Sequence, residues 1–387
     1  MHEASDEALE IGRRLVAEVL RPLKESFVGK DEVVDLLGVC LAGGENLFIL
    51  GPPGTAKSAL VQELARRVDG RVFDYLLTRF TEPNELFGPF DIRKLREGDL
   101  VTNTEGMLPE ASLVFLDELL NANSAILNSL LMVLNEKVFR RGRETRRLPL
   151  LMVVGASNRL PEDDALNALF DRFLLRVRCE NVGDERLADV LDAGRRLDVE
   201  RHESRHLISV EDLRRLQQGL ARVDVAAVRP RYVEVVHNLR KASIAVSDRR
   251  AVKLQRLIAA SALLCGRFQA DATDLWVLRY IWDTDEQREL IAAIVQPVVE
   301  AAEPEARATS HPRSRGDSAP DAEELARDLE RLERQWTTDG GDEARGAVLR
   351  DRLSLLAGRC QWLADAEQRA FLEGRVNQLW QQWGTAS

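Results

Sequence analysis

The residues with the clearest chemical potential lie in a loop that follows four apolar residues, 47–50. The pattern predicts a buried strand, a loop whose backbone N–H groups surround nucleotide phosphates, and a helix that points its positive end at them. The residues expected to contact the nucleotide are Gly51, Pro52, Pro53, Gly54, Thr55, Ala56, Lys57, Ser58 and Ala59. The alternative is a Pro/Gly turn before a helix, with a surface lysine.

Three residues of this loop carry separate expectations. Lys57 is expected to reach the β- and γ-phosphates, and the Ser58 hydroxyl to bind Mg²⁺. Ala56 stands where the strict phosphate-loop pattern has glycine. Because alanine disfavours a positive φ, the loop must use a conformation that alanine allows or carry strain.

Two carboxylates follow a second apolar run, 113–116, at the expected carboxyl end of a parallel strand. Asp117 suits a Mg²⁺ contact, and Glu118 suits activation of an attacking water. The alternative is an acidic turn that ends a strand, which is less favoured downstream of a phosphate loop.

A third buried strand is predicted over 150–158, and it ends in Asn158, which is expected at the same sheet edge as Asp117. Asn158 would hold the attacking water or sense the γ-phosphate. A helix over 165–173 follows, and Arg172 on it is either functional or an ordinary ion-pairing arginine. Upstream, Val28 precedes the first strand and would contact an adenine base; ordinary core packing explains it equally well.

The composition of the 387-residue chain limits its function class. A net charge of −10 argues against a general electrostatic grip on DNA or anionic membranes. Four scattered cysteines without a C-x-x-C pair indicate reduced thiols in a cytoplasmic protein. No apolar run approaches the ~20 residues of a membrane span, and the acidic N-terminus is unlike a signal peptide.

Taken in order, these motifs resemble a AAA+ ATPase. The Pro-Pro-Gly-Thr-Ala-Lys-Ser loop is similar to the MoxR branch, and the closest resemblance is to its RavA-type subfamily. The motifs that carry the resemblance, across about Phe27 to Trp282, are 51–58, 75–80, 87–89, 115–118, 125–128, 156–158 and 169–173. In that family Ala56 is usual, so it does not indicate an inactive site.

The resemblance implies a fold and a set of roles. The fold is α/β: a P-loop parallel-sheet core with a helical lid, followed by a small all-α C-terminal module. Asn158 would be sensor 1, Arg172 the arginine finger that acts on a neighbouring subunit, and Arg231 sensor 2, with Arg229 as a competitor. The segment 78–109 would be the helix-2 insert.

We predict four regions: the nucleotide-binding core (1–183), the lid (184–300), a flexible linker rich in Pro, Ser and charge (301–320), and the C-terminal helical module (321–387). The tryptophans of the last region would fill a small helical core or form a partner surface. The inserted domain of RavA-type proteins is absent from the sequence at this place, so a partner of that domain is not carried over.

Two further motifs have competing explanations. The sequence His202-Glu203-Ser204-Arg205-His206 matches the H-E-x-x-H zinc motif, but its charged flanks and the lack of a third ligand favour a solvated linker. Five arginines between Lys137 and Leu148, on a predicted hairpin with Gly142 at its tip, would grip an acidic partner or nucleic acid, or simply be solvated.

The sequence therefore predicts Mg²⁺-dependent ATP hydrolysis by a homohexameric ring that remodels or matures a protein client. The family resemblance suggests a client with a von Willebrand A domain. One alternative is a nucleic-acid motor or loader, supported only by the arginine hairpin. Another is a non-hydrolysing scaffold, which the set of Lys57, Asp117, Glu118, Asn158 and Arg172 argues against.

Overall fold

Short apolar runs form the centre of this chain in its computed structural model. The strands are β1 (Leu47–Leu50), β2 (Val68–Asp69), β3 (Val72–Leu76), β4 (Leu113–Asp117), β5 (Val138–Arg141), β6 (Glu144–Arg147), β7 (Met152–Ser157), β8 (Leu175–Arg178) and β9 (Ile208–Ser209). Five of them form a sheet in the order β3-β4-β7-β1-β8, with every neighbouring pair parallel. Strands β1 and β7 are buried along their whole length, as expected for a sheet covered on both faces.

The structure describes residues 3–96, 101–141, 144–161, 164–200, 207–302, 309–315, 322–339 and 365–384, and the positions 346, 349–350, 353, 356–357, 360 and 363. The helices are α1 (Glu3–Arg14), α2 (Arg21–Ser26), α3 (Asp31–Gly43), α4 (Lys57–Arg67), α5 (Pro83–Phe87), α6 (Ile92–Arg96), α7 (Ser124–Glu136), α8 (Asp164–Phe170), α9 (Leu187–Glu200), α10 (Val210–Gly219), α11 (Arg229–Lys241), α12 (Asp248–Leu264), α13 (Glu286–Glu300), α14 (Ala322–Asp339) and α15 (Ala366–Gly384). None of these helices has the length and apolarity needed to cross a bilayer.

The chain folds as two compact units. The sheet unit consists of residues 18–218 and 280–288, and the lid unit of residues 1–17, 219–279 and 289–387. In the sheet unit, α3 packs on β1 and β8, and α4 packs on β4. The fold class predicted from the sequence is confirmed, whereas the four predicted region borders stay predictions.

The long excursion between β3 and β4 contains two short helices, α5 and α6. Residues Glu82 and Glu85 form a capping box at the start of α5, which satisfies backbone N–H groups at that end. An antiparallel bridge joins Phe90 to Thr102. The predicted arginine hairpin is present as the antiparallel pair β5–β6, and its tip at Gly142 lies outside the described residues. The motif at 202–206 lies outside them as well.

The helices of the lid unit start at clear sequence signals. Pro230 stands in the first turn of α11, where a missing N–H costs nothing. The Ser247 side chain accepts a hydrogen bond from the backbone N–H of Arg250 and so caps α12.

Part of the predicted flexible linker is packed within the lid unit. His311 is fully buried and stacks on Trp276, with ring centroids 4.4 Å apart. The guanidinium groups of Arg267 and Arg279 donate to the carbonyls of Thr309 and Arg313. The Pro- and Ser-rich composition predicts mobility, but this buried aromatic stack and these hydrogen bonds fix residues 309–315 in place.

The C-terminal helices α14 and α15 pack on each other around an apolar cluster. Trp336 and Trp383 stack with their ring centroids 4.2 Å apart, and Trp383 is buried. Of the two explanations for the tryptophans, these two residues therefore fill a helical core. Trp380 is partly exposed, and Trp362 lies outside the described residues.

Candidate functional site

The first glycine of the loop after β1 sits where no side chain fits. A Cβ added to Gly51 would lie 2.0 Å from the carbonyl oxygen of Cys179. The N–H of Gly51 donates to the carbonyl of Ser157, and the N–H of Cys179 donates to that of Leu50. The start of the loop is thus pinned between the ends of β7 and β8, and Gly54 continues it with a φ of 84°.

Ala56 adopts a left-handed backbone conformation, with φ 65° and ψ 20°, directly before α4. For a residue with a Cβ, this region costs about 1–2 kcal/mol. Of the two possibilities that the sequence left open for Ala56, the structure shows the strained one. Strain of this kind persists only where the surroundings impose it, and it is concentrated at functional sites.

Lys57 is the first residue of α4 and is only 7% exposed. Its Nζ donates to the carbonyl oxygens of Gly51 and Pro52, both at 2.8 Å. The Thr55 hydroxyl also donates to the Pro52 carbonyl, at 3.0 Å. The loop therefore curls around the lysine ammonium at the N-terminus of an 11-residue helix, which is the arrangement that binds phosphate oxygens.

Ser58 and Asp117 meet although they are far apart in the chain. The Ser58 Oγ donates to Asp117 Oδ2 at 3.2 Å. A hydroxyl and a carboxylate oxygen are hard ligands that suit Mg²⁺, which normally keeps several waters and takes few protein ligands. The residues present therefore fit the Mg²⁺ ion that the sequence predicts.

Glu118 follows directly and is a second strained residue, with φ 50° and ψ 39°. Burial raises the pKa of this carboxyl above its ordinary value, and the charge of Asp117 adds to the increase. The positive charges of Lys57 and Arg159 oppose it. A carboxyl whose pKa is raised in this way is a better proton acceptor than an exposed glutamate.

The sequence analysis missed two residues near this glutamate: Asn121, which contacts Glu118, and Arg159, which contacts Asn121. Asn121 Nδ2 donates to Glu118 Oε2 at 3.5 Å, and Arg159 Nη2 donates to Asn121 Oδ1 at 3.2 Å. Arg159 directly follows the predicted sensor Asn158, and Asn121 is three residues from Glu118. Their adjacency to the motifs was the signal that could have identified them.

Asn158 is exposed and borders a recess of about 270 Å³ beside the phosphate loop. The lining residues are Leu50, Gly51, Pro52, Asn158, Arg159, Leu160, Arg178 and Asp285. The structure thus places Asn158 next to the loop, as expected from parallel strands. Arg178, at the end of edge strand β8, and Asp285, from a distant segment, were not predicted from the sequence.

Val28 lies half-buried in the turn between α2 and α3. The following Gly29 has a φ of 70°, and an added Cβ would lie 2.6 Å from Val182 Cγ1. Lys30 Nζ donates to the carbonyl of Glu180. The turn therefore lies against the chain that continues from Cys179, the residue beneath Gly51.

The predicted arginines lie elsewhere. Arg172 is in the turn after α8, because that helix ends at Phe170 and not at 173 as predicted; its guanidinium pairs with Asp171 at 2.9 Å. Arg229 and Arg231 are exposed in the first turn of α11, in the lid unit. The assignment of sensor 2 to Arg231, with Arg229 as the competitor, stays a prediction.

Two family models match this chain. Residues 13–218 match the model described as the MoxR domain in the MoxR-vWA-beta-propeller ternary systems. Residues 225–295 match a AAA lid domain. The narrower resemblance to RavA-type proteins stays a prediction.

Individual proteins agree with these matches. An uncharacterized protein of Methanocaldococcus jannaschii is 34% identical over 270 residues, which are 69% of this chain and 71% of that protein. Chaperone MoxR1 of Mycobacterium tuberculosis is 28% identical over 51% of this chain and 52% of its own length.

The fold is shared with a crystal structure described as a "putative ATPase" from Cytophaga hutchinsonii, at a TM-score of 0.63 and 18% identity. That likeness covers 78% of this chain and 98% of the other. Together with the two matched models, it shows that the chain belongs to the MoxR family of AAA+ ATPases.

Proposed function

We propose that this chain binds ATP with Mg²⁺ and hydrolyses it. The observation that carries the proposal is the meeting of Lys57, the Ser58–Asp117 pair and Glu118 at one edge of the sheet, beside the strained loop. The loop N–H groups and Lys57 would hold the phosphates. Ser58 and Asp117 would hold the metal, which neutralises phosphate charge when bound.

The remaining residues would act on the attacking water. Glu118 would accept its proton, aided by a raised pKa. Asn158 would orient the water from the neighbouring strand end. Asn121 would fix the glutamate side chain through its hydrogen bond to Oε2.

Two substitutions test this proposal. Lys57→Ala should lose nucleotide binding. Glu118→Gln should retain ATP binding and lose turnover by about 10²- to 10⁴-fold, since the metal ligands remain while the base is removed. Glu136→Gln is the control, because that carboxylate is exposed and forms an ion pair with Arg140 on the adjacent strand β5. Wild-type turnover in Glu118→Gln would show that another group is the base, and wild-type protein without any turnover would favour a non-hydrolysing scaffold.

We also propose that the active form is a homohexameric ring in which Arg172 acts on the nucleotide of the adjacent subunit. This is supported by family membership and by the position of Arg172 in the turn after α8, where its side chain is partly exposed and forms an ion pair with the adjacent Asp171. A head-to-tail contact repeated around an axis closes into a ring when the rotation permits.

We propose further that the ring remodels or matures a protein with a von Willebrand A domain. The matched family model is named for systems that combine a MoxR domain with vWA and beta-propeller partners, and the relative MoxR1 is named as a chaperone. Glu118→Gln with ATP should capture a vWA protein, while Lys57→Ala should not. Equal capture by both variants would contradict an ATP-driven role.

A nucleic-acid motor is the less favoured function. Two arginines of the β5–β6 hairpin already form ion pairs within the chain: Arg140 with Glu136 at 3.5 Å, and Arg146 with Glu110 at 3.9 Å. Salt-dependent binding to duplex DNA would revive this alternative.

A further inference from the structure

The segment Tyr280–Arg288, which we call the strap, belongs to the sheet unit although the chain on both sides of it belongs to the lid unit. Its Trp282 and Ile281 are buried, and the hydroxyl of Tyr280 donates to Glu32 at 2.7 Å. The strap is therefore a piece of chain that follows helix α12 of the lid unit, ends in the first turn of α13 and has become part of the sheet unit.

Two arginine–aspartate pairs join the strap to edge strand β8. Arg176 pairs with Asp283 at 3.0 Å, and Arg178 pairs with Asp285. Residues two apart on a strand point to the same face, so the two arginines form two rungs of one ladder. The aspartates have the same spacing, which matches the ladder in register.

The inner rung is a fixed structural pair. Arg176 is fully buried and also donates to the carbonyls of Ile281 and Phe170, at 3.0 and 3.2 Å. Its guanidinium carbon lies 4.3 Å from the centre of the Phe170 ring. A buried arginine held at this many points has no room to change partner.

The outer rung is different because it borders the nucleotide site. Arg178 and Asp285 are 32% and 36% exposed, and both line the recess together with Pro52 and Asn158. Arg178 Nε donates to Asp285 Oδ1 at 2.7 Å, and its Nη2 donates to Oδ2, which is a two-point contact. Glu180, which is more exposed, accepts from Arg178 Nη1 at 2.9 Å.

The two charged groups of the outer rung should respond in opposite ways to a nucleotide bound in the phosphate loop. An anionic nucleotide held by the loop attracts the guanidinium of Arg178 and repels the carboxylate of Asp285. We propose that Arg178 is a positioning residue that couples nucleotide occupancy to the strap: bound nucleotide draws Arg178 away from Asp285 and loosens this outer rung. The inference rests on the proposed nucleotide binding, because it concerns the same site.

The two partners of the pair should therefore change nucleotide affinity in opposite directions. Asp285→Asn removes a repulsive charge and frees Arg178, so the Kd for ADP should fall about 5- to 10-fold, at the low end of the usual range of coupling between sites. Arg178→Gln removes the attraction, so the Kd should rise by about the same factor. Glu180→Gln is the matched control, since it removes the other, more solvent-screened carboxylate partner and should change the Kd less than about twofold.

Hydrogen exchange of the strap provides a second readout. In the wild type, exchange across residues 280–288 should rise when ADP binds. In Arg178→Gln, exchange should already be high and should not respond to ADP. Arg178→Lys keeps the charge but loses the two-point geometry, so it should retain most of the ADP affinity while its strap exchanges faster.

The outcomes separate this inference from the proposed function. If the wild type binds ADP and both Asp285→Asn and Arg178→Gln weaken ADP binding to the same extent, the pair is purely structural. The coupling is then overturned, while the proposed nucleotide site stands. A wild type that binds no ADP or ATP overturns the proposed function, and this inference with it. Each variant is first compared with the wild type by thermal unfolding, and Arg178→Lys replaces Arg178→Gln if the latter does not fold.

Discussion

The nucleotide site and a polar cluster in the lid unit both bury charge, but they satisfy it differently. The lid cluster consists of Ser261, Arg267, Asp271 and Asp274. Asp274 is fully buried and accepts hydrogen bonds from Ser261 Oγ at 2.7 Å, Arg267 Nη2 at 2.8 Å and the N–H of Asp271 at 3.0 Å. The groups of this cluster therefore face one another.

In the nucleotide site, the polar groups instead line the end of the sheet and the backbone is strained. Among the described residues, four non-glycine residues have a positive φ, and two of them, Ala56 and Glu118, are in this site. None of the four belongs to the lid cluster. The difference teaches that buried charge alone does not identify a functional site, since a self-satisfied cluster serves stability. Strain combined with polar groups at strand ends is the more informative sign.

The largest expected effect tests whether the site is complete within one chain. Arg172→Ala should keep ATP binding and lose turnover by about 10³-fold or more, because an arginine finger neutralises charge that develops on the transferred phosphoryl group. Steady-state ATPase rates and nucleotide binding, measured on the same preparation, separate the two effects.

Mixing subunits decides whether that arginine acts on a neighbour. In a mixed ring, an Arg172→Ala subunit with an intact phosphate loop can lie beside a Lys57→Ala subunit that still provides Arg172. Partial activity is therefore expected from two inactive variants. No recovery in rings shown to contain both variants counts against action between subunits, and full activity in a strictly monomeric protein ends the ring hypothesis.

The next effect concerns stability and should leave chemistry unchanged. Asp274→Ala leaves the largely buried guanidinium of Arg267 without one of its two carboxylate partners, so the free energy of unfolding should fall by about 3–5 kcal/mol. Urea unfolding measures this change. Asp248→Ala is the control: its side chain is 97% exposed and its pair with Arg240 should contribute less than about 1 kcal/mol.

The ATPase rate of Asp274→Ala tests whether the lid cluster serves stability alone. The rate of ATP hydrolysis per folded molecule should stay within about twofold of the wild type in Asp274→Ala. A variant that unfolds normally but has lost turnover would place the lid cluster among the functional residues.

The sequence predicted those parts of the site that are local in the chain or share a strand end. Lys57 and Ser58 follow from loop spacing, and Asp117 and Asn158 from the rule that parallel strands end at one sheet edge. Arg178 was missed because its partner Asp285 is 107 residues away, and no local pattern reports such a pair. His311 shows the reverse problem: Pro- and Ser-rich composition predicts a linker, while one buried aromatic stack with Trp276 fixes the segment.

The smallest expected effect examines the strain itself. Ala56→Gly should relieve a left-handed conformation that costs about 1–2 kcal/mol with a Cβ, while the added freedom of glycine in the unfolded chain takes back about 0.5–1 kcal/mol. The net gain in unfolding free energy should therefore lie between about 0 and 1.5 kcal/mol. Ala65→Gly, inside α4 of the same unit, should instead lose about 1 kcal/mol, because its backbone is helical and glycine disfavours a helix.

The changes in unfolding free energy caused by Ala56→Gly and Ala65→Gly should have opposite signs if the loop stores strain at Ala56. If both destabilise alike, the surroundings relax around Ala56 and the loop stores no usable strain. If Ala56→Gly stabilises the protein but also slows ATP turnover, the strain positions Lys57 and the helix start for phosphate binding. Stabilisation with an unchanged rate would mean that the strained backbone at Ala56 is tolerated without contributing to catalysis.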